Sequence, residues 1–146
     1  MIYITRELEQ QIRREGEKYY PDECCGILFG ELSEQDSGSQ TVKRVKSLLP
    51  VVNSFSDGER YHRFLITPET MLQAELEARR RGQDIVGFYH SHPDHPAIPS
   101  EYDRAHALPV YSYVITAVAA NVAVELNSFE LSSDKHIFYP EEIHII

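Results

Sequence analysis

The sequence predicts an α/β fold: a mixed, curved β-sheet flanked by about three helices, built as a single domain over residues 1–146. Three observations predict it. Alternating or wholly apolar runs of strand length recur along the chain, among them "IYIT", "CCGILFGEL" and "DIVGFYHSH". Two longer stretches carry helix-start signals, one behind Thr5 and one at Thr67-Pro68. No repeat and no linker interrupts a length of 146 residues, which lies within the roughly 100–200 of one hydrophobic core.

Ile2–Thr5 alternates and reads as a short first strand. Thr5 caps a helix to about Tyr19, with Leu8, Ile12 and Tyr19 on one face; Gly16 weakens this helix and Pro21 ends it. Cys24–Leu32 reads as a largely buried strand, followed by the polar turn "LSEQDSGSQ". Thr41–Asn53 is a long strand segment in which Pro50 marks an edge or a bulge. Ser54–His62 has the composition of an exposed loop, and "RFLIT" returns to strand. The helix after Thr67 stacks Leu72, Leu76 and Arg79 on one side, flanked by Met71, Glu75 and Ala78, and Gly82 closes it. Asp84–His92 is a strand and "SEYDRAHAL" a short helix. "SYVITAVAANVAVELNSFEL" supplies two strands broken near Ala120-Asn121, and "KHIFYPEEIHII" adds a last strand or edge segment.

With 42% hydrophobic and 25% charged residues, the chain can build a core without disulfide staples. Its two cysteines, Cys24 and Cys25, are adjacent and poorly placed to bridge each other. The segment "MIYITRELEQQIRRE" has no apolar signal-peptide region, and no apolar run approaches the 18 or so residues of a membrane span. The expectation is a cytoplasmic protein with reduced thiols and no membrane partner. Fourteen basic against 23 acidic residues give a formal charge of −9, which argues against a nucleic-acid backbone as partner.

Chemistry concentrates in "GFYHSHPDHPAIPSEYDRAHA", Gly87–Ala107. His90 and His92 end a predicted strand, where residues i and i+2 share a face about 6.5–7 Å apart. Pro93, Pro96 and Pro99 exclude a helix directly after them. Ser100 begins a helix with Asp103 in its first turn, able to reach back toward the histidines. Two histidines and one carboxylate, with a fourth position left open, form the ligand set of a catalytic zinc site. Such a site still needs a base that is not itself a ligand. Taken singly these signals are weak. H-x-H is common, and S-x-x-D is an ordinary capping arrangement, compatible with a ligand role because a capping aspartate can still present an oxygen outward. His95, between prolines, reads as solvent-exposed, and His106 as facing solvent or supporting the site from outside it.

The full spacing is H-x-H, seven residues, S, two residues, D, met here by His90, His92, Ser100 and Asp103. This resembles the JAMM (MPN-plus) metallopeptidases, a family with a cytidine-deaminase-like fold. The family also carries an upstream segment of the form P-x-E-x-C-G-x-L-x-G, and "PDECCGILFG" (Pro21–Gly30) matches it with Glu23 at the glutamate. "PVVNSFSDGERYHRFLITPET" is similar to the family's segment between the two motifs. The likeness reaches the strand Tyr111–Thr116, and the last thirty residues match only loosely.

The resemblance implies one zinc ion per chain, bound by His90, His92 and Asp103. It implies Glu23 as the base that activates water and passes the proton to the leaving amine, and Ser100 as hydrogen-bond donor to the oxyanion. Gly26 and Gly30 would serve close packing. Asp22 and Glu31 flank Glu23 but do not stand at the family's position. A Cys24 or Cys25 nucleophile is an alternative mechanism, set against the reading of both as small buried hydrophobes. The compact chain looks most like small stand-alone bacterial members, some of which act on ubiquitin-like sulfur carrier proteins ending in Gly-Gly. Ser54–His62 and Pro93–Pro99 would then border a narrow channel for that tail. Two other readings stand beside it: a deubiquitinase-like isopeptidase with another substrate, and a non-catalytic MPN-type interaction module. The module reading sits poorly with a complete ligand set. A zinc deaminase would carry H-x-E and P-C-x-x-C, and neither occurs. Oligomeric state is left open.

Overall fold

The computed structural model describes residues 1–35, 40–55, 58–61 and 63–146. Its elements follow as β1 (Ile2–Ile4), α1 (Arg6–Tyr19), β2 (Cys25–Glu34), β3 (Thr41–Val51), α2 (Pro68–Arg81), β4 (Asp84–Pro93), α3 (Glu101–His106), β5 (Ser112–Ala119), β6 (Val122–Leu131), β7 (Phe138–Glu141) and β8 (Ile143–Ile145). Among the described residues this is the expected α/β architecture, with three helices on one mixed sheet. The turn expected at Leu32–Gln40 lies in part outside the described residues, at 36–39, as do Ser56, Asp57 and His62 of the expected loop.

The helix starts follow the cap signals. Thr5 Oγ1 accepts from the Leu8 N–H at 3.2 Å, Thr67 Oγ1 accepts from Thr70 at 3.2 Å, and Gly82 ends α2 at φ 66°. Ala120 and Asn121 both have positive φ, so the β5–β6 connection is a two-residue hairpin turn with the backbone twist such turns need.

The sheet runs β7-β6-β5-β4-β2-β3-β1-β8, with β4/β5, β1/β3 and β1/β8 parallel and the other pairs antiparallel. Alternation along β2 separates its two faces. Leu28 packs with Ile12 of α1, Ile2, Ile4, Tyr89 and Val114. Ile27 and Phe29 pack with Ala74 and Ala78 of α2 and with Phe88. Gly16 serves contact, because a Cβ there would stand 2.9 Å from Val118 Cγ2.

Four expectations need correction. Arg63–Thr67 is not a strand: its backbone groups bond to Asn53 and Ser54 instead of to a ladder. The buried face of α2 is Ala74 and Ala78, while Leu72 and Leu76 are exposed, since small residues let the helix approach the sheet closely. Tyr19 is likewise exposed on α1, and Gly16 is buried. The tail forms two strands, which lie at opposite edges of the sheet. Pro50 lies inside β3, but β1 pairs only with Lys43 and Arg44, so the proline meets a partner on the β2 side alone.

Because β7 and β8 are separated in the chain by Glu142 alone, the sheet must curl until its edges nearly meet. Ile2 N–H donates to Glu142 O at 2.9 Å across that bend. Lys43, 1% exposed, spans the interior: Nζ donates to Ser112 Oγ at 2.8 Å and lies 3.5 Å from Glu130 and 3.9 Å from Glu141. Burial, with a hydrogen bond to Glu130, raises Glu141 to about 7 in spite of that cation. Removing Lys43 takes the lysine cation away from the buried Glu141 carboxyl. Lys43→Ala should therefore lower the unfolding free energy in urea by about 3–5 kcal/mol, and adding Glu141→Gln should recover part of the loss. A cost under about 1 kcal/mol, the level of an exposed pair, would show that closure does not depend on this lysine.

Candidate metal centre

β4 lies between β2 and β5, so the end of its ladder is covered on both sides, and His90 and His92 project there at 0% and 5% exposure. α3 approaches from above. Its capping box is complete: Ser100 Oγ accepts from the Asp103 N–H at 3.0 Å, and Asp103 Oδ2 accepts from the Ser100 N–H at 2.8 Å. That cap fixes the Asp103 rotamer and aims Oδ2 at the imidazoles. The cap and ligand readings of Asp103 thus fall on one oxygen.

His90 Nε2, His92 Nε2 and Asp103 Oδ2 form a tight triangle: 3.2 Å between the two nitrogens, 3.2 Å from His90 to the carboxylate and 3.0 Å from His92. The three residues form a possible metal site. His92 Nδ1 lies 2.9 Å from Pro96 O, which can only accept, so Nδ1 carries the proton. In that tautomer Nε2 carries the lone pair, which faces a carboxylate oxygen and a second imidazole. Acceptor facing acceptor at this range is repulsive unless a positive centre lies between: with a ring proton the histidines hydrogen-bond Asp103, and with a cation all three become ligands. A divalent cation fits the donor set, since ligand bonds of about 2.0–2.2 Å in a tetrahedron separate the ligands by about 3.3–3.6 Å, close to this triangle. His90 Nδ1 is buried with no hydrogen-bond partner among the described residues.

Glu23, 3% exposed, stands beside this triangle with Oε1 3.8 Å from His92 Nε2, and Oε2 is buried without a hydrogen-bond partner among the described residues. Burial, then the Asp103 charge, pushes its carboxyl up to about 9. Asp103 behaves oppositely: burial raises it, but the charges and hydrogen bonds of His90 and His92 outweigh burial and hold it well below the carboxylate range. Burial pushes the His90 imidazole down, opposed by Asp103. A cation among the three ligands favours ionised Glu23, because its charge opposes both effects that raise it.

Of the other candidates, Glu31 sits in an exposed ion pair with Lys46 at 3.8 Å, and the Asp22 N–H donates to Tyr19 O. Both thiols are buried and pushed up by burial, Cys24 to about 12, so neither is ionised as a nucleophile must be. His95 is exposed and outside the ligand group, and His106 stacks on Tyr102 with centroids 4.1 Å apart. Two hollows flank the triangle. One, about 460 Å³, is lined by Glu23, Arg63, His92, His95, Ser100 and Tyr102. The other, about 230 Å³, is apolar, with Phe64, Ile66, Met71, Phe88, Tyr102 and Tyr113 in its walls.

The sequence reading assigned no role to Phe64, which stacks on His90 at 4.5 Å, to Arg63, whose guanidinium lies 5.2 Å from the Tyr102 ring centre, or to Asn53. They sit between the motifs, in a stretch without periodicity, where only the quoted family segment gave a signal.

The fold and the donor set define a JAB1/MPN-type protein. The chain matches the prokaryotic homologs of the JAB domain over residues 5–132 and belongs to that family. A desampylase from Haloferax volcanii is 35% identical over 96 residues, covering 65% of this chain and 62% of the relative, so the match spans under two thirds of that protein. A "probable TtuB-protein conjugate cleaving protease" from Thermus thermophilus is 27% identical over 115 residues, 79% of this chain and 69% of the relative. A solution structure of a Salinibacter ruber protein is 35% identical with a TM-score of 0.74, covering 100% of this chain and 92% of that one. A JAB1/MPN domain protein from Archaeoglobus fulgidus, 18% identical with a TM-score of 0.54, covers 99% and 94% and bears on the fold alone.

Calorimetric titration with Zn²⁺ should give one site per chain in the wild type. His92→Ala and Asp103→Ala should each weaken it by more than about 100-fold, beyond the 10–100-fold typical of outer-shell changes. Unchanged binding in both variants would remove the metal centre.

Proposed function

We propose that the protein is a zinc-dependent peptidase or isopeptidase that hydrolyses the amide bond after the C-terminal Gly-Gly of a ubiquitin-like sulfur carrier protein or a similar tail. The observation that carries this reading is the Glu23 carboxylate oxygen 3.8 Å from His92 Nε2, at the edge of the buried His90–His92–Asp103 triangle. The conjugate-cleaving description of the Thermus relative supports a protein conjugate as substrate class.

His90, His92 and Asp103 would hold one zinc ion. Bound there, zinc lowers the pKa of a water to about 7 and polarises the scissile carbonyl. The chain's own residues do the rest. Glu23, ionised, accepts a proton from the attacking water at a carboxylate oxygen and delivers it to the leaving nitrogen as the C–N bond breaks. Ser100 Oγ accepts from Asp103 N–H through a lone pair, which leaves its own O–H free to donate to the oxyanion. Ser100 is exposed and borders the same hollow as Glu23, so donor and base address one reacting carbon.

Burial supports the Gly-Gly requirement. The three ligands and Glu23 are each at most 8% exposed, so a scissile carbonyl reaches them only on a thin backbone, and glycine has no Cβ to obstruct it. Tyr102 lies in the wall of both hollows, with Arg63 over its ring. Within this reading Pro93–Pro99 borders the tail's path together with Ser54–His62, of which 56, 57 and 62 lie outside the described residues, and the protein works in the cytoplasm. A purely interacting module is disfavoured because the ligand set and the base are all retained.

Intact mass spectrometry of a Gly-Gly carrier extended by one cysteine tests the reading. Zinc-loaded wild type should remove that residue. Glu23→Ala and Ser100→Ala should both keep zinc yet lose about 100-fold to 1,000-fold in kcat. If the wild type leaves both this carrier and a lysine-linked conjugate intact, the substrate class is wrong. If Glu23→Ala retains full activity, the assigned base is wrong.

A further inference from the structure

Asn53 takes no part in the chemistry above, yet all four hydrogen-bonding positions of its side chain are occupied. It follows β3 and is buried at 9% exposure. Nδ2 donates to Glu23 O at 3.1 Å and to Arg63 O at 2.9 Å. Oδ1 accepts from the Phe55 N–H and the Leu65 N–H, each at 3.1 Å. An amide has two donors and two acceptor positions, so the residue is saturated. Its orientation is fixed too, because a flipped amide would set oxygen against two carbonyls and N–H against two N–H groups.

These bonds join three separated stretches of chain. Glu23 lies two residues before β2, so no ladder holds its carbonyl; Asn53 does. The Glu23 N–H donates to Arg60 O at 2.6 Å, within the same loop. Both backbone polar groups of Glu23 are thus held by the segment that Asn53 organises. On the other side, Arg63 and Leu65 bracket Phe64, whose ring stacks on His90 and whose carbonyl accepts from Tyr102 Oη at 3.4 Å. One amide therefore locates Glu23 on one flank of the ligand triangle and the Phe64 ring on the other.

We propose that Asn53 is a positioning residue for the base: it sets the height of Glu23 over the ligands through the Glu23 carbonyl, and so governs kcat more than substrate or metal binding. The inference rests on the assignment of Glu23 as base. A displacement of about 1 Å in a catalytic group can cost about 100-fold in rate, and removing the amide leaves the Glu23 and Arg63 carbonyls and two N–H groups without partners.

Two substitutions separate positioning from mere stability. Asn53→Ala removes all four bonds. Asn53→Asp keeps both acceptor bonds, and with them the loop, but loses the donors to Glu23 O and Arg63 O. Thr67→Ala, which removes the α2 cap, is the destabilised control. On the carrier substrate, both Asn53 variants should lose about 100-fold in kcat with KM within about threefold, zinc stoichiometry should stay at one, and Thr67→Ala should keep its kcat. Amide hydrogen exchange supplies a readout independent of activity. Exchange at Glu23 should accelerate in both Asn53 variants, and at Phe55 and Leu65 in Asn53→Ala only. Wild-type kcat in Asn53→Asp, or unchanged exchange at Glu23 in both variants, overturns the proposal. An inactive wild type would instead sink the substrate assignment, and the exchange data alone would then decide the role of Asn53.

Discussion

The site depends first on the register between β2 and β4. Cys25 pairs with His90, Gly26 with Tyr89 and Ile27 with Phe88, so the same antiparallel step brings Cys24 opposite Ser91 and Glu23 opposite His92. The pairing extends past the ladder through two bonds, Ser91 N–H to Cys24 O at 3.1 Å and Cys24 N–H to Ser91 Oγ at 2.8 Å. A slip of one residue would turn every side chain of β2 to the other face. Packing forbids it. The Tyr89 ring lies over Gly26, where a Cβ would fall 2.1 Å from the ring, and Tyr89 Oη donates to Glu15 of α1 at 2.8 Å. The glycine of "ECCG" therefore fixes the register that brings a glutamate three positions earlier to the histidines. Glu23 and the two histidines are coupled through one aromatic ring.

What that register assembles is unfavourable on its own. Two imidazoles, two carboxyls and several bare lone pairs share a volume from which water is largely excluded, and only Asp103 is well satisfied, by Ser100 N–H and the histidines. Burial alone drives Glu23 toward its neutral form and His90 toward neutrality. The surrounding scaffold bears this cost. His90 sits mid-sheet on the face of Ile27 and Phe88, paired with Cys25 on β2 and Ile115 on β5, all buried. Acceptors crowded onto one point are what a cation site requires, and the strain is largely relieved when positive charge enters. The local conflict is thus confined to functional positions, while neighbouring residues obey the ordinary rules of patterning and capping.

Those ordinary rules made much of the molecule legible in the sequence. Thr5, Thr67 and Ser100 announced helix starts because their hydroxyl acceptors act on donors within three residues. The Ala120-Asn121 break was readable for the same reason, since a hairpin turn is local. The grouping of His90, His92 and Asp103 was readable through the resemblance of their spacing to a known family, and the nearness of Glu23 through the upstream segment of the same resemblance. What escaped reading was governed by partners far along the chain. Arg63–Thr67 has the composition of a strand, yet Asn53 and Ser54 supply its hydrogen bonds. On α2 the larger residues Leu72 and Leu76 read as the core face, but close approach to Phe29 and Phe88 selects Ala74 and Ala78. Lys43 looks like a solvated charge in a polar strand, and only the curl of the sheet, which unites β3 with β5, β6 and β7, buries it.

The course of residues 63–65, held by Asn53 outside any ladder, has a consequence that a strand there could not have. In a ladder, the carbonyls and N–H groups of Arg63 and Leu65 would be spent on neighbouring backbone in a fixed pleat, and Phe64 would alternate to one face of the sheet. Held by a side chain instead, the segment leaves the sheet plane, brings Phe64 face-on to His90 at 4.5 Å, and lets Arg63 lie over Tyr102 of α3. The cost is that one buried amide replaces many ladder bonds. Order in this part of the site therefore rests on few polar groups, whereas the fold rests on an apolar core spread over both faces of the sheet. Site geometry and global stability are for that reason separable here: a polar change at Asn53 can displace Glu23 while the core, which contains none of these groups, keeps the chain folded.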